Sequence, residues 1–353
     1  MTVTAEKTIG VGLVGVGLGS ILLELNRDPE TALEVRAMYD PDPERAFQRY
    51  EVGKTLKTLQ DEFGVDALCD DYRILINRED IDVVAVFSPC PHHFEQARAA
   101  LEAGKHVVVT KPMVTTMADV EALVQTVDRT GRKLLVAQSL RWNNLFMTLH
   151  DMFERGELGD VMFAEGHYMH DFRSVFDRSP WRYQLPQDLL LGGACHPIDL
   201  LRWFMGDVDE VFAYGDCSGF DSRYPADKED TFAVCLKFTS GRIATLKTAI
   251  GIVRPPSHVR SAGGIGLYCT KASVQGDRII WDADPEKKIQ ALELPRESHP
   301  QEGPRFMRHL EQCILGDAEP LVSVRDGARV VSTCLACRES METGRPVKVR
   351  NDF

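Results

Sequence analysis

The chain has no excess of basic residues. Lys and Arg number 41 against 53 Asp and Glu, a net charge of −12 over 353 residues. That balance argues against nucleic acid or an anionic membrane surface as the main partner, while leaving room for a locally basic pocket. Long apolar runs are also missing, and no stretch is long enough to span a membrane. Met1 to Thr8 are polar and enter the first strand directly, with no secretory leader. A cysteine framework is absent too. The nine cysteines are odd in number and irregularly spaced, which points to reduced thiols in the cytoplasm. Cys334 and Cys337 form a C-x-x-C, but they share a helical pattern with Val330, Val331, Leu335 and Met341. Core packing explains them better than redox or zinc chemistry, and no second such pair exists. There is no repeat, low-complexity tract or long linker.

What is present is a glycine turn, Val14-Gly15-Val16-Gly17-Leu18-Gly19-Ser20, between an apolar strand and the run Ile21-Leu22-Leu23-Glu24-Leu25. A strand that passes through Gly-x-Gly into a helix suits a diphosphate. The first glycine makes the tight turn, the second lets backbone approach the phosphates, and the helix N-terminus offers N–H groups. Gly10-x-Gly12-x-x-Gly15 fits the full string better but lies inside the strand, so the frame at Gly15 is preferred. Ser20 then takes the third position, where a small residue allows close helix–strand packing. Gly15, Gly17, Leu18, Gly19 and Ser20 are the candidate phosphate contacts.

The first half alternates strands (Ile9–Val14, Glu34–Asp40, Ile81–Ser88, Lys105–Thr110, Lys133–Gln138) with helices (Pro43–Phe63, Phe94–Ala103, Ala118–Thr130). The last helix follows a Thr116-x-x-Asp119 cap and stops at Gly131. This alternation implies a doubly wound parallel sheet over residues 1–138. Beyond it, a helix over Leu145–Arg155 precedes a run of antiparallel strands: Val161–His170, Glu210–Ser218, Thr231–Thr239, Arg242–Ile252, Gly266–Cys269 and Arg278–Asp282. Ser240-Gly241 makes a hairpin turn, and helices return at Pro304–Leu315 and Val324–Thr343. Residues 139–353 thus read as an α+β domain with a large open, mostly antiparallel sheet. An open sheet face of that kind favours a homodimer or homotetramer.

Several residues stand where such a fold collects ligands. Asp40 ends the second strand, at the position expected to hold an adenosine ribose. With Asp42 beside it, a 2′-phosphate would be repelled, so NAD is expected over NADP. Ser88, Pro89 and His93 follow a buried strand, as does Lys111-Pro112. A metal reading of His92-His93 is weak, because adjacent side chains diverge and no acidic or cysteine cluster accompanies them; no metal site is expected. His167 and His170 would face opposite sides of a strand. Pro197 sets a helix start, with His196 in its cap region, where the positive helix end keeps the imidazole neutral and able to accept a proton. Asp199, one turn on, could orient that ring. Arg141, Trp142, Trp181 and Arg182 are candidate substrate contacts, by stacking and hydrogen bonding, although core packing serves either tryptophan equally well.

In order and spacing, these elements resemble the glucose–fructose oxidoreductase / inositol dehydrogenase family (Gfo/Idh/MocA). The matching stretches are Val11–Ser20, Tyr39–Ala46, Ile81–Ala97, Leu101–Val107 with Lys111-Pro112, Arg141–Asn143, Gly156–Val161 and His196–Trp203. The resemblance implies an N-terminal Rossmann domain and a C-terminal α/β domain that binds substrate and oligomerises. It implies hydride transfer between a nicotinamide and a secondary hydroxyl or ketone of a sugar, cyclitol or related polyol, with Lys111 and His196 handling the proton. Two positions depart from the family: Thr110 stands where it usually has Glu, and Gly192 where it usually has Asp. Asp199, Asp188 and Asp171 are the candidates for the missing carboxylate. The departures leave two other functions open. One is a sensor that binds NAD and sugar without chemistry. The other is a glycosidase or eliminase with tightly bound NAD and no net redox.

Overall fold

The computed structural model describes residues 8–44, 54–179, 181–184, 188–253, 263–295 and 302–353. They group into two compact units, Met1–Ser139 with His299–Ala328 and Phe353, and Leu140–Ser298 with Arg329–Asp352.

In the first unit, β1 (Ile9–Val14), β2 (Leu33–Tyr39), β3 (Ala67–Leu68), β4 (Val83–Val86), β5 (His106–Thr110) and β6 (Leu134–Ala137) form one sheet. The order is β3-β2-β1-β4-β5-β6, and every pairing is parallel. All residues of β1 and β4 are buried, as a sheet covered on both faces requires. The helices are α1 (Val16–Gly19), α2 (Leu56–Phe63), α3 (Tyr72–Ile76), α4 (His93–Glu102) and α5 (Met117–Thr130). Strand order reverses between β1 and its neighbours β2 and β4, and ligands bind at the carboxyl ends of strands at such a point.

Local chemistry explains the boundaries. The Thr116 hydroxyl accepts from Asp119 N at 3.1 Å to start α5, and Gly131 ends it at φ +64. Gly10 and Gly12 lie within β1, where a Cβ would fall 1.8 Å from Asp80 O and 2.3 Å from Leu75 Cδ2. Their smallness serves strand packing, so the frame at Gly15 is the right one. The helix expected over Pro43–Phe63 is shorter: Pro43 and Glu44 sit in a turn, residues 45–53 lie outside the described set, and α2 starts after a Thr55 cap. β3 and α3 were not expected, because a strand of two residues is too short to show a period.

The second unit contains α6 (Asn144–Glu154), β7 (Val161–Met169), α7 (Arg173–Arg178), α8 (Trp181–Gln184), α9 (Cys195–Met205), β8 (Val208–Asp216), β9 (Thr231–Phe238), β10 (Ile243–Ala249), β11 (Gly263–Cys269), β12 (Ala272–Gln275), β13 (Arg278–Trp281), β14 (Gln290–Ala291) and β15 (Val347–Lys348). Its strands form one sheet, ordered β14-β13-β12-β11-β7-β10-β9-β8-β15. Neighbours are antiparallel, with one correction to the expected pattern: β7 runs parallel to β10. Burial alternates along β9, with Phe232, Val234, Leu236 and Phe238 buried and Ala233, Cys235 and Lys237 exposed. The outer face also exposes Tyr214 and Ile243.

A second difference concerns α10 (Glu302–Gly316), which follows the expected Pro304–Leu315 closely but groups with the first unit. A Cβ on Gly303 would lie 2.9 Å from the Ile21 side chain, so the helix sits directly on the segment after α1. Glu311 accepts from the Thr31 hydroxyl and from Ala32 N, and Arg308 Nε donates to Asp28 at 2.9 Å. These tertiary bonds, which sequence order does not reveal, draw the segment back. α11 (Val324–Thr343) buries Cys334 and Cys337, and burial pushes the Cys337 thiol up to about 12. They are inert core thiols, as their helical spacing implied.

Candidate functional site

Gly15 takes φ +87, and its N–H donates to Tyr39 O at 2.8 Å. A Cβ there would lie 2.5 Å from Ser88 N and 2.6 Å from Phe87 C. Both the backbone angle and the space therefore demand glycine. Helix begins at once, over Val16–Gly19, and continues as a 3-10 segment over Ser20–Arg27. It thus starts at the glycine turn itself rather than near Ser20. Ser20 is also not the close-packing residue. Its hydroxyl donates to Gly17 O at 3.0 Å, while Gly19 meets the strands, a Cβ there falling 2.7 Å from Leu13 Cδ1 and 3.1 Å from Phe87 Cβ. Leu18 is exposed and Gly17 half-buried at the outer edge of the turn.

Asp40 is buried against this turn. Its Oδ2 accepts from Val16 N at 2.9 Å and its Oδ1 from Asp42 N at 3.2 Å. The two bonds fix the carboxylate plane. A turn that only glycine can make, a helix start and an aimed carboxylate together fit a dinucleotide.

The other candidates of this unit divide in two. Ser88 follows β4, and its hydroxyl donates to Gln96 Oε1 at 2.6 Å, with Pro89 next to it. Lys111 is half-buried at the end of β5. His93 does not face a ligand through its ring. It is 1% exposed, with Nδ1 2.8 Å from Pro112 O and Nε2 2.8 Å from Ser88 O. Burial lowers its pKa. It is a tie between the loops after β4 and β5, reached because α4 turns its first residue inward.

In the second unit the structure redistributes partners. Arg141 and Asp199, assigned to substrate and to His196, instead pair with each other: Nε–Oδ2 is 2.8 Å and Nη2–Oδ1 is 2.7 Å, with both residues under 5% exposed. The Arg141 guanidinium also lies 5.2 Å from the Trp203 ring centroid, and Trp203 stacks on His150 at 3.9 Å. Asp188 and Asp171 are engaged as well, Asp188 with Arg338 at 2.7 Å and Asp171 with Arg173 at 3.0 Å. Spacing alone placed Asp199 beside His196; a cation 58 positions upstream was out of its view. Trp142 is buried in the core, the plainer of its two readings. The side chain of Trp181 lies outside the described residues.

His196 is half-buried near the start of α9, but not at a free helix end. A wide π-type turn, Leu190–Ala194, runs straight into α9, and Asp188 Oδ1 accepts from Leu190 N at 2.8 Å to cap the run. The positive helix end therefore lies about two turns earlier than expected. Pro197 has no N–H and its ring crowds the preceding turn, which a wider turn relieves. The His196 ring stacks on Tyr168, with centroids 5.8 Å apart and planes 17° from parallel. Sequence reasoning missed Tyr168. A Cβ on Gly193 would lie 2.7 Å from that ring, so Gly193 is the space in which Tyr168 sits. Next to it, Gly192, Arg182, Tyr224, Phe172 and Phe176 line a small cavity. Among the described residues no group of three or more His, Cys, Asp or Glu could hold a metal, and no helix is long and apolar enough to cross a membrane.

The family comparisons agree with this architecture. A model described as "Oxidoreductase family, NAD-binding Rossmann fold" matches residues 9–138, and "GFO/IDH/MocA C-terminal domain" matches residues 146–275. The chain belongs to the Gfo/Idh/MocA oxidoreductase family, and its N-terminal domain is an NAD-binding Rossmann domain. D-apiose dehydrogenase of Paraburkholderia graminis is 24% identical over 363 residues, spanning 99% of this chain and 92% of that protein. A glycosyl hydrolase family 109 protein of Streptomyces coelicolor is 34% identical over 174 residues, 48% of this chain and 36% of that protein. The structure of levoglucosan dehydrogenase in complex with NADH matches with a TM-score of 0.83, covering 97% of this chain and 99% of that one at 22% identity, a likeness of fold.

Proposed function

We propose that the protein is an NAD-dependent dehydrogenase or reductase acting on a secondary hydroxyl or ketone of a sugar, cyclitol or related polyol. The observation that carries the reading is the buried Asp40 carboxylate, fixed by Val16 N at a turn that only glycine can form. Asp40 accepts from ribose hydroxyls, and the backbone from Gly15 to Ser20 meets the diphosphate. Bound NAD supplies the hydride acceptor. The substrate hydroxyl must lose a proton as its carbon is oxidised, and His196 is the group that takes it. Lys111 is the second proton-handling group. Arg182 contributes to sugar recognition. Arg141 and Asp199, paired with each other, and the buried Trp142 serve the core rather than the substrate. The exposed apolar residues Tyr214 and Ile243 favour a homo-oligomer through the open sheet face; a monomer in sedimentation velocity would refute that part.

The test is a panel of polyols and keto-sugars with NAD and NADP, following absorbance of the reduced nicotinamide. Wild type gives NADH on at least one polyol, and Lys111→Ala and His196→Ala each lower kcat about 100-fold or more. NAD binding without turnover on a broad panel would replace this reading with a sensor. Product without net NADH would favour bond cleavage with recycled NAD, the reading to which the family 109 relative lends weight.

A further inference from the structure

Near Asp40 the chain places a cation and holds it in an ion pair. Tyr39, the residue before Asp40, has its phenol pKa raised first by burial and then by Asp71 and Asp40, while Arg73 lowers it. Tyr39 and Tyr72 lie with ring centroids 6.1 Å apart. Arg73 belongs to α3, which Asp71 caps by accepting from Arg73 N at 2.7 Å. The guanidinium sits over the Tyr72 ring, 4.5 Å from its centroid, and donates through Nη2 to Glu95 Oε1 at 2.6 Å. The Tyr72 hydroxyl donates to the same oxygen at 2.6 Å. Asp71 Oδ2 lies 3.7 Å from Nη1.

This arrangement bears on which dinucleotide the turn accepts. A ribose with two hydroxyls suits Asp40. A 2′-phosphate would meet the Asp40 charge, and the Arg73 guanidinium, which could offset it, is paired with Glu95. Arg73 and Glu95 are 59% and 61% exposed, so the latch is held weakly and can be opened without disturbing the core. We propose that Glu95, by holding Arg73 against Tyr72, is a determinant of the choice of NAD over NADP: once Arg73 is released and the Asp40 charge removed, the site takes a 2′-phosphorylated dinucleotide. The inference rests on the dinucleotide site at Gly15 and Asp40.

Equilibrium titration of NAD+ and NADP+, by calorimetry, tests it on wild type, Asp40→Asn, Asp40→Asn/Glu95→Gln and that pair with Arg73→Ala. Asparagine keeps an acceptor for Val16 N while removing the charge. We expect Glu95→Gln, added to Asp40→Asn, to tighten NADP+ about tenfold, the scale of one new charge-assisted contact, while NAD+ shifts less than about twofold. Arg73→Ala should erase that gain. Tyrosinate absorbance reports the latch independently of binding. Burial and the Glu95 bond hold Tyr72 at about 12, and loss of Glu95 should bring its titration closer to that of ordinary tyrosine. If the second substitution adds nothing while Tyr72 has shifted, or if the gain survives Arg73→Ala, the proposal is overturned and the NAD site stands. If wild type binds neither dinucleotide, the site reading falls and this inference with it.

Discussion

The first unit is built on a parallel sheet buried on both faces; the second is built on a mostly antiparallel sheet with one face open. That contrast governs how each assembles its candidate residues. In the first unit they stand on backbone at strand ends: Gly15 after β1, Asp40 after β2, Ser88 after β4, Lys111 after β5. Parallel pairing brings those ends to one edge, and position along the chain nearly dictates position in space. In the second unit the corresponding residues come from a helix, a strand and a segment far upstream. Which carboxylate meets which cation is settled by packing. Arg141 therefore closes on Asp199, and the Tyr168 ring stacks on His196.

The contrast can be broken by substitution, beginning in the first unit. Gly15→Val combines a φ of +87 with a contact 2.5 Å from Ser88 N, and neither can relax without moving β4. Calorimetry should detect at least about a hundredfold loss of NAD affinity, since strain of this kind costs on the order of 1–3 kcal/mol before the clash is counted. All four tryptophans, Trp142, Trp181, Trp203 and Trp281, lie in the second unit, so their emission should stay unchanged. A blue- or red-shifted spectrum would mean that the substitution disturbs more than the glycine turn.

Next comes the buried ion pair of the second unit. Asp199→Asn or Arg141→Met leaves one charge buried and uncompensated, a loss of about 3–5 kcal/mol. Arg141→Met with Asp199→Leu removes both charges and should recover most of it. Urea unfolding followed by tryptophan emission measures this. Equal stability of single and double variants would show that the pair is not coupled.

The smallest effect separates the units by pH. Burial lowers the pKa of His93, His106 and His309 in the first unit and of His150 in the second. Two of these rings accept backbone hydrogen bonds and so must be neutral, His106 from Lys133 N and His309 from Leu321 N. A base whose folded pKa is depressed contributes stability that is complete above its unfolded pKa and is lost as pH falls below it. Below about pH 6.5 each such histidine removes up to about 1.4 kcal/mol per pH unit, because the unfolded chain binds the proton that the folded one refuses. Hydrogen exchange at pH 7 and pH 5 should therefore show the first unit losing protection more steeply than the second. Equal losses would contradict the assignment.

Much of this was legible in the residues. Ile9–Val14 and Val324–Thr343 fall where periodicity placed them, and the Thr116 cap and the turn at Gly241 are local signals that the backbone obeys. The short strand Ala67–Leu68, the return of α10 to the first unit and the parallel pairing of β7 with β10 were not legible. Each depends on partners far away in the chain.

By itself, then, the sequence determined the family, the glycine turn and the strand-end residues, because backbone angle, small size and alternation are properties of neighbouring positions. Tertiary structure alone decided that His93 ties two loops, that Gly19 rather than Ser20 packs the helix, and that Asp199 belongs to Arg141. A hydrogen bond between residues 58 apart is a matter of packed geometry, and no spacing rule encodes it.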